Sequence, residues 1–331
     1  SGRATWIVFG ALAGCSFQSA PGLIRPGDRG SNVRIVAVPE TTYKTPGANG
    51  ALIYFTSFRV VPARAREQSK TLSGFRGQAR SADGQRNVQG PIGYEMAPES
   101  IGLLLSHLIG APTTSGASAP YTHVFQAAAS GANALPIGLT FEEDFGTAIA
   151  SASRYLQLRG CRINSGTLTF RPSVSIRARP DQAGRQLAVR LGPSGSPKSV
   201  CFNELTLRWA NDLDPDKFCI SGGGVRDGLA EGFAIVDGSV TAFFDHADVI
   251  DQILSGTDTE LQITLTKGAG TGASIGNEKL TIAIPNLVFA RTGPTIDGPR
   301  GLRLSANFSV HRTSGELAAT ATLLSPQATF L

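Results

Sequence analysis

The stretch VQGPIGYEMAPESIGLLLSHLIG, Val88 to Gly110, carries two periods in succession. Ile92, Tyr94 and Met96 alternate, which is the period of a half-buried strand. Ile101, Leu104, Leu105 and Leu108 then fall at i, i+3, i+4 and i+7, the stripe of an amphipathic helix. Gly110 and Pro112 supply the stop. The same order returns in VDGSVTAFFDHADVIDQILSG, Val236 to Gly256. There Val240, Ala242 and Phe244 alternate, and Val249, Ile250, Ile253 and Leu254 form a shorter stripe. Asp245 reads as the N-cap, with Asp248 three residues on and Gly256 as the stop. Each copy opens Val-x-Gly, and aligning Gly90 with Gly238 sets the copies 148 residues apart. The pattern, more than the letters, carries the repeat.

A chain of 331 residues has room for two domains or one duplicated unit, and the repeat favours duplication. Glycine (39) and proline (19) are plentiful while charged residues are only 17%, the profile of many short strands joined by turns. The net charge of +5 is small for this length, and the basic residues are not interleaved with aromatics, so no nucleic-acid stacking platform is expected. Cys15, Cys161, Cys201 and Cys219 are widely spaced and are expected as free thiols. No apolar run reaches the length of a membrane-spanning helix.

Around the repeat the chain divides into an N-terminal arm (1–30), a first module (31–180), a connector (181–198) and a second module (199–331). In the first module, strands are expected at 32–37, 51–61, 121–126, 137–143, 155–159, 167–170 and 173–178. In the second they are expected at 203–210, 260–267, 279–284, 288–291, 302–311 and 317–324. Each half thus reads strand, strand, long loop, strand, helix, then several strands. Within the arm, WIVFGALAGC (Trp6 to Cys15) ends in the form of a bacterial lipoprotein cleavage box, with a single Arg3 in its flank. The preferred reading is an apolar arm or strand that packs on a neighbour. The alternative is a secreted or lipid-anchored β-sandwich surface protein of adhesin-like kind.

Motifs for chemistry are weak. His107, His123, His246 and His311 share no ligand spacing. GPSGSPKS, Gly192 to Ser199, places Pro197 where a phosphate cradle needs an N–H. GAGTGASIG, Gly268 to Gly276, lacks dinucleotide spacing and reads as a loop tip. Asp212-x-Asp214-x-Asp216 opens like a calcium loop but has neither the following glycine nor the final glutamate. Glu142-Glu143-Asp144 reads as a solvated face. Asn307-Phe308-Ser309 fits a glycosylation pattern but lies mid-strand. No catalytic, cofactor or metal residue is assigned, and the chain reads as β-rich and non-enzymatic.

VRIVAVPETTYKTPG (Val33 to Gly47) resembles the opening signature of the tail tube proteins of long-tailed, siphovirus-type bacteriophages. The order that follows fits the same family: a polar loop, a Val-x-Gly strand, LLLSHLIG, YTHVF, and later LTIAIPNLVF and GPRGLRLSANFSVHR. The likeness runs over residues 32 to 325. It implies a mainly β fold of two tandem antiparallel sandwich or barrel modules, each with one flanking helix. It also implies a virion role, as stacked rings forming the channel for DNA ejection. The implied partners are further copies of the chain, a tape-measure protein in the lumen, and tail terminator and tip proteins. Genomic DNA passes without sequence-specific binding, no membrane is involved, and assembly takes place in the host bacterial cytoplasm. Two modules per chain suggest homotrimeric, pseudo-hexameric rings.

Two long loops then become candidate inter-ring contacts. Residues 62–89 carry Arg64, Arg66, Lys70, Arg76, Arg80 and Arg86 against Glu67 and Asp83, a balance of +4. Residues 211–237 carry Asp212, Asp214, Asp216, Asp227, Glu231 and Asp237 against Lys217 and Arg226, a balance of −4. Opposite charge on alternating loops would set the rotational register between rings.

Overall fold

A computed structural model describes residues 2–11, 30–71, 74, 76–77, 80–126, 134–146, 154–172, 186–200, 202–218, 224–243, 247–294, 303–312 and 318–330. The first half contains β1 (Gly2–Ala11), β2 (Arg34–Thr42), β3 (Thr45–Pro46), β4 (Ala51–Ile53) and β5 (Phe55–Phe58). The hairpin β6 (Val61–Glu67) and β7 (Ala82–Gln89) follows, then β8 (Ile92–Glu95), α1 (Gly102–Leu108), β9 (Thr113–Ser115) and β10 (Tyr121–Gln126). It ends with β11 (Leu139–Asp144), β12 (Tyr155–Cys161) and β13 (Ile163–Pro172). The second half contains β14 (Gln186–Pro193), β15 (Lys198–Ser199), β16 (Glu204–Ala210), β17 (Ile235–Phe243) and α2 (Ala247–Ser255). It closes with β18 (Thr259–Thr266), β19 (Lys279–Phe289), β20 (Arg303–Val310) and β21 (Thr320–Ser325).

The expected mainly β, antiparallel fold is present, with two short helices where the repeated stripe lies. A 14-stranded sheet runs β15-β14-β18-β19-β20-β17-β16-β13-β1-β8-β5, with β21, β10 and β9 branching from β19. Strands of both halves therefore share one sheet. They join where β13 pairs β16, and again where β21 lies between β10 and β19. A five-stranded sheet (β12-β11-β2-β3, with β4 on β2) packs with it, and one hydrophobic core spans both halves.

Alternation accounts for most of these strands. In β18, Thr259, Leu261, Ile263 and Leu265 point inward and are buried, while their neighbours are half-buried. β19 changes partner midway: Lys279–Ala283 pair β21, and Leu287–Phe289 pair β20. Pro285 sits at the changeover, where its missing N–H costs no ladder bond and the register against β18 shifts.

The N-terminal arm carries the strand β1, which lies between β13 and β8. Two expectations change. The connector 181–198 contains β14, a sheet strand against β18 rather than a linker. Arg190 and its glycine and proline neighbours hid its alternation, in which Leu191 is buried. The strand expected at 51–61 breaks into β4, β5 and the start of β6. Asp245, His246 and residues 173–178 lie outside the described residues, as do Cys15, Cys201 and Cys219. Cys161 is buried, and its Sγ donates to the Leu158 carbonyl at 3.4 Å.

The two helices differ in environment despite their matching order. All seven residues of α1 are buried. It packs on β13, Phe330 lies over Gly102, and Asn211 Nδ2 donates to the Leu108 carbonyl at 2.8 Å, satisfying an end-of-helix acceptor. In α2, Ile253 is buried and Leu254 is exposed, so one face meets solvent.

Candidate functional site: two charged arms

β6 and β7 form their own two-stranded sheet. Every residue of β6 is exposed, so its alternation places Ala63 and Ala65 on one side and Arg64 and Arg66 on the other without burying either. The register shifts between Arg64 and Arg66, and Gly84 lets β7 approach there: a Cβ would sit 3.2 Å from that of Ala65. Asp83 receives both Arg64 (2.9 Å) and Arg66 (3.9 Å), exposed contacts of small energetic weight. Lys70, Arg76 and Arg80 are exposed and make no ion pair among the described residues, while Arg86 is half-buried. The outer part of this arm therefore carries uncompensated positive charge.

The acidic loop occupies the same place in the second half, between β16 and β17, that the hairpin occupies between β5 and β8. It is ordered by two isolated antiparallel bridges, Asp214 to Ala230 and Phe218 to Arg226. Asp212 adopts a left-handed φ of 45°, and Asp214 Oδ1 accepts the Asp216 N–H at 2.9 Å, a side-chain mimic of a turn. Arg226 is its centre. That side chain is buried, Nε donates to the Pro215 carbonyl at 2.5 Å, and the guanidinium lies 4.8 Å from the Phe218 ring. Burial holds its pKa below the usual arginine value. Glu231 turns inward to Arg162 (2.5 Å), and Asp237 pairs with Arg208 (3.2 Å). Asp212, Asp214, Asp216 and Asp227 remain exposed.

The structure brings the two arms together at their bases. The Arg86 N–H donates to the Gly224 carbonyl at 2.8 Å, and Arg226 Nη1 reaches Asn87 Oδ1 at 3.4 Å. Lys44 completes the brace, with Nζ donating to the Arg226 carbonyl at 2.6 Å. Lys44 belongs to the signature run Val33 to Gly47, and so does Glu40, a buried carboxylate. Glu40 accepts from the Lys44 N–H (2.7 Å), Thr140 Oγ1 (2.7 Å) and the Gly160 N–H (2.6 Å), tying β2, β11 and β12 together. The signature thus folds into a staple beneath the arms. Sequence reading missed this role because Glu40's partners are distant in the chain.

The remaining candidates resolve into structure. His107 is buried on α1 with Nδ1 3.0 Å from the Leu103 carbonyl, and burial pushes its pKa down to about 4. His123 contacts Thr114 Oγ1 and the Gln327 carbonyl, and His311 pairs with Asp258. Asp144 binds Arg154, which holds its carboxyl below the usual range. Glu142 accepts from Gln157 (2.6 Å), and Glu143 is buried rather than solvated, with its pKa pushed up to about 7 by desolvation. Gly192 to Ser199 is the β14–β15 turn, and Gly268 to Gly276 is the β18–β19 loop, tied by Asn277 and Glu278. No cluster able to hold a metal ion occurs among the described residues, and no helix there is long and apolar enough to cross a membrane.

The family profile of phage tail tube proteins matches residues 30–310, most of the chain. The chain belongs to that family. It is a structural tail tube protein, a component of the virion tail, from a family that is structural rather than enzymatic. Comparison with individual curated proteins gave no match. The match begins at Gly30, so β1 lies outside it, while both charged arms and both strand-helix blocks lie inside.

Proposed function

We propose that the chain polymerises into stacked rings whose continuous lumen is the channel for DNA ejection, with three chains and six pseudo-equivalent modules per ring. The observation that carries this reading is the open 14-stranded sheet. It ends at β5 on one side and at β14 with the two-residue β15 on the other. Unpaired strand edges are a liability in a monomer, and head-to-tail pairing with neighbours covers them. Each half contributes the same order: strand, charged arm, strand, helix. That supports two tube modules per chain even though their strands merge into one sheet. Before ejection the lumen holds a tape-measure protein, and terminator and tip proteins cap the stack, which is assembled in the host bacterial cytoplasm. Genomic double-stranded DNA passes without sequence-specific contact.

The arms serve the stacking. Lys70, Arg76 and Arg80 of one ring meet Asp212, Asp214, Asp216 and Asp227 of the next. Arg64, Arg66 and Glu231 are held within their own subunit and brace the arms. Negative-stain microscopy of the purified protein tests the reading. Stacked rings with a central hole and threefold symmetry are expected; monodisperse monomers at all concentrations, or sixfold rings of identical chains, would refute it.

A further inference from the structure

The outward face of β13, β16, β17 and β20 has a composition unlike the arms. Its inward residues form core: Leu168, Leu207, Val240 and Phe308 are all buried. Its outward positions are read across the sheet in register. The middle row is Thr169, Thr206, Ser239 and Asn307. The rows on either side each contain one ion pair between directly opposed residues: Arg171 with Glu204 at 2.6 Å, and Arg208 with Asp237 at 3.2 Å. Thr241 Oγ1 and Ser305 Oγ meet at 3.1 Å beside the first pair. The face is hydroxyl-rich and free of lysine, carries Arg303 only at its edge, and crosses the boundary between the two halves through β13 and β16.

We infer that this four-strand face lines the bore of the tube. The inference rests on the ring reading above and adds which surface turns inward. A conduit for a polyanion must not hold it, and every free Lys or Arg placed against phosphate adds affinity by releasing counterions. Here the Arg171 and Arg208 guanidiniums are each occupied by a carboxylate on the adjacent strand, and a row of short polar side chains lies between the two pairs. Lys70, Arg76 and Arg80, exposed and without an ion pair among the described residues, lie instead on the β6–β7 arm, where they would retard DNA if they faced it. Continuity across both halves is the second requirement, because a lining interrupted at each module boundary would expose core or strand edges to the channel.

Tubes assembled from Ser239→Cys and, separately, Thr206→Cys protein test the assignment, with wild-type tubes as the background for native thiols. Intact tubes are treated with a small biotin-maleimide, then with streptavidin, which is too large for the bore. The expected result is labelling of the intact tube without streptavidin decoration along its length, and full capture once the tubes are dissociated. Streptavidin decoration of intact tubes would place the face outside, and failure of the small reagent to label would bury it in an interface; either overturns the inference while leaving the tube reading standing. Absence of tubes from wild-type protein would overturn both.

Discussion

The backbone N–H of Arg86 donates to the carbonyl of Gly224 at 2.8 Å, joining the basic hairpin to the acidic loop within one chain. The two arms, 138 residues apart at this contact, are therefore joined at their bases. Reversing the outer charge with Arg76→Glu and Arg80→Glu leaves this brace intact. The variant is expected to form rings that do not stack, seen by negative-stain microscopy and sedimentation. Wild-type stacking is expected to weaken as salt rises from 0.15 M to 1 M, where the screening length falls from about 8 Å to about 3 Å. Tubes of normal length from the reversed variant would remove the arms from the stacking contact.

Arg162 holds three acceptors: the Leu229 carbonyl (2.5 Å), the Leu135 carbonyl (3.2 Å) and Glu231 (2.5 Å). Arg162 is 8% exposed. Arg162→Ala leaves buried acceptors unpaired and is expected to cost about 3 kcal/mol in denaturant unfolding. Glu231→Gln retains an acceptor at a partly exposed site and is expected to cost under about 1 kcal/mol.

His107 and Glu143 give the folded chain opposing pH responses. The His107 pKa falls from 6.5 to about 4, chiefly through burial, so between those values the unfolded chain binds a proton that the folded chain refuses. Stability contributed by this site is present above pH 6.5 and is lost as pH falls towards 4, by about 3 kcal/mol. The Glu143 pKa rises from 4.5 to about 7 through desolvation, so the folded chain holds its proton longer. Its contribution is present below pH 4.5 and is lost as pH rises through 7, by about 1–2 kcal/mol after discounting for solvent screening. Glu143→Gln is expected to stabilise the protein at pH 8 and to be near neutral at pH 4. Thermal unfolding at both pH values would show a flat difference if Glu143 were solvated.

Gly102 opens α1 because the Phe330 ring occupies the space a Cβ would take. Gly102→Ala is expected to destabilise the fold by about 1–3 kcal/mol through overpacking. Paired with Phe330→Ala, the cost is expected to fall well short of the sum of the single changes, because the two residues contend for one volume. Additive costs in a double-mutant cycle would show that the C-terminal segment does not pack on α1.

Periodicity alone settled the β-rich class, the two strand-helix blocks and their order, since alternation and the 3.6-residue stripe are local properties of side-chain spacing. The family signature was legible as letters, and the charge of each arm could be counted. Tertiary structure decided the rest, because it depends on partners distant in the chain. Leu108 and its helix are buried on all sides, while Leu254 of the matching helix is exposed. The C-terminal segment and Asn211 close over the first. Glu231 and Asp216 look alike in sequence, yet Glu231 pairs with the buried Arg162 while Asp216 makes no ion pair among the described residues. β14 escaped notice because a strand is stabilised by its neighbour β18, and hydrogen bonds across a sheet leave no mark on the spacing of residues along one strand.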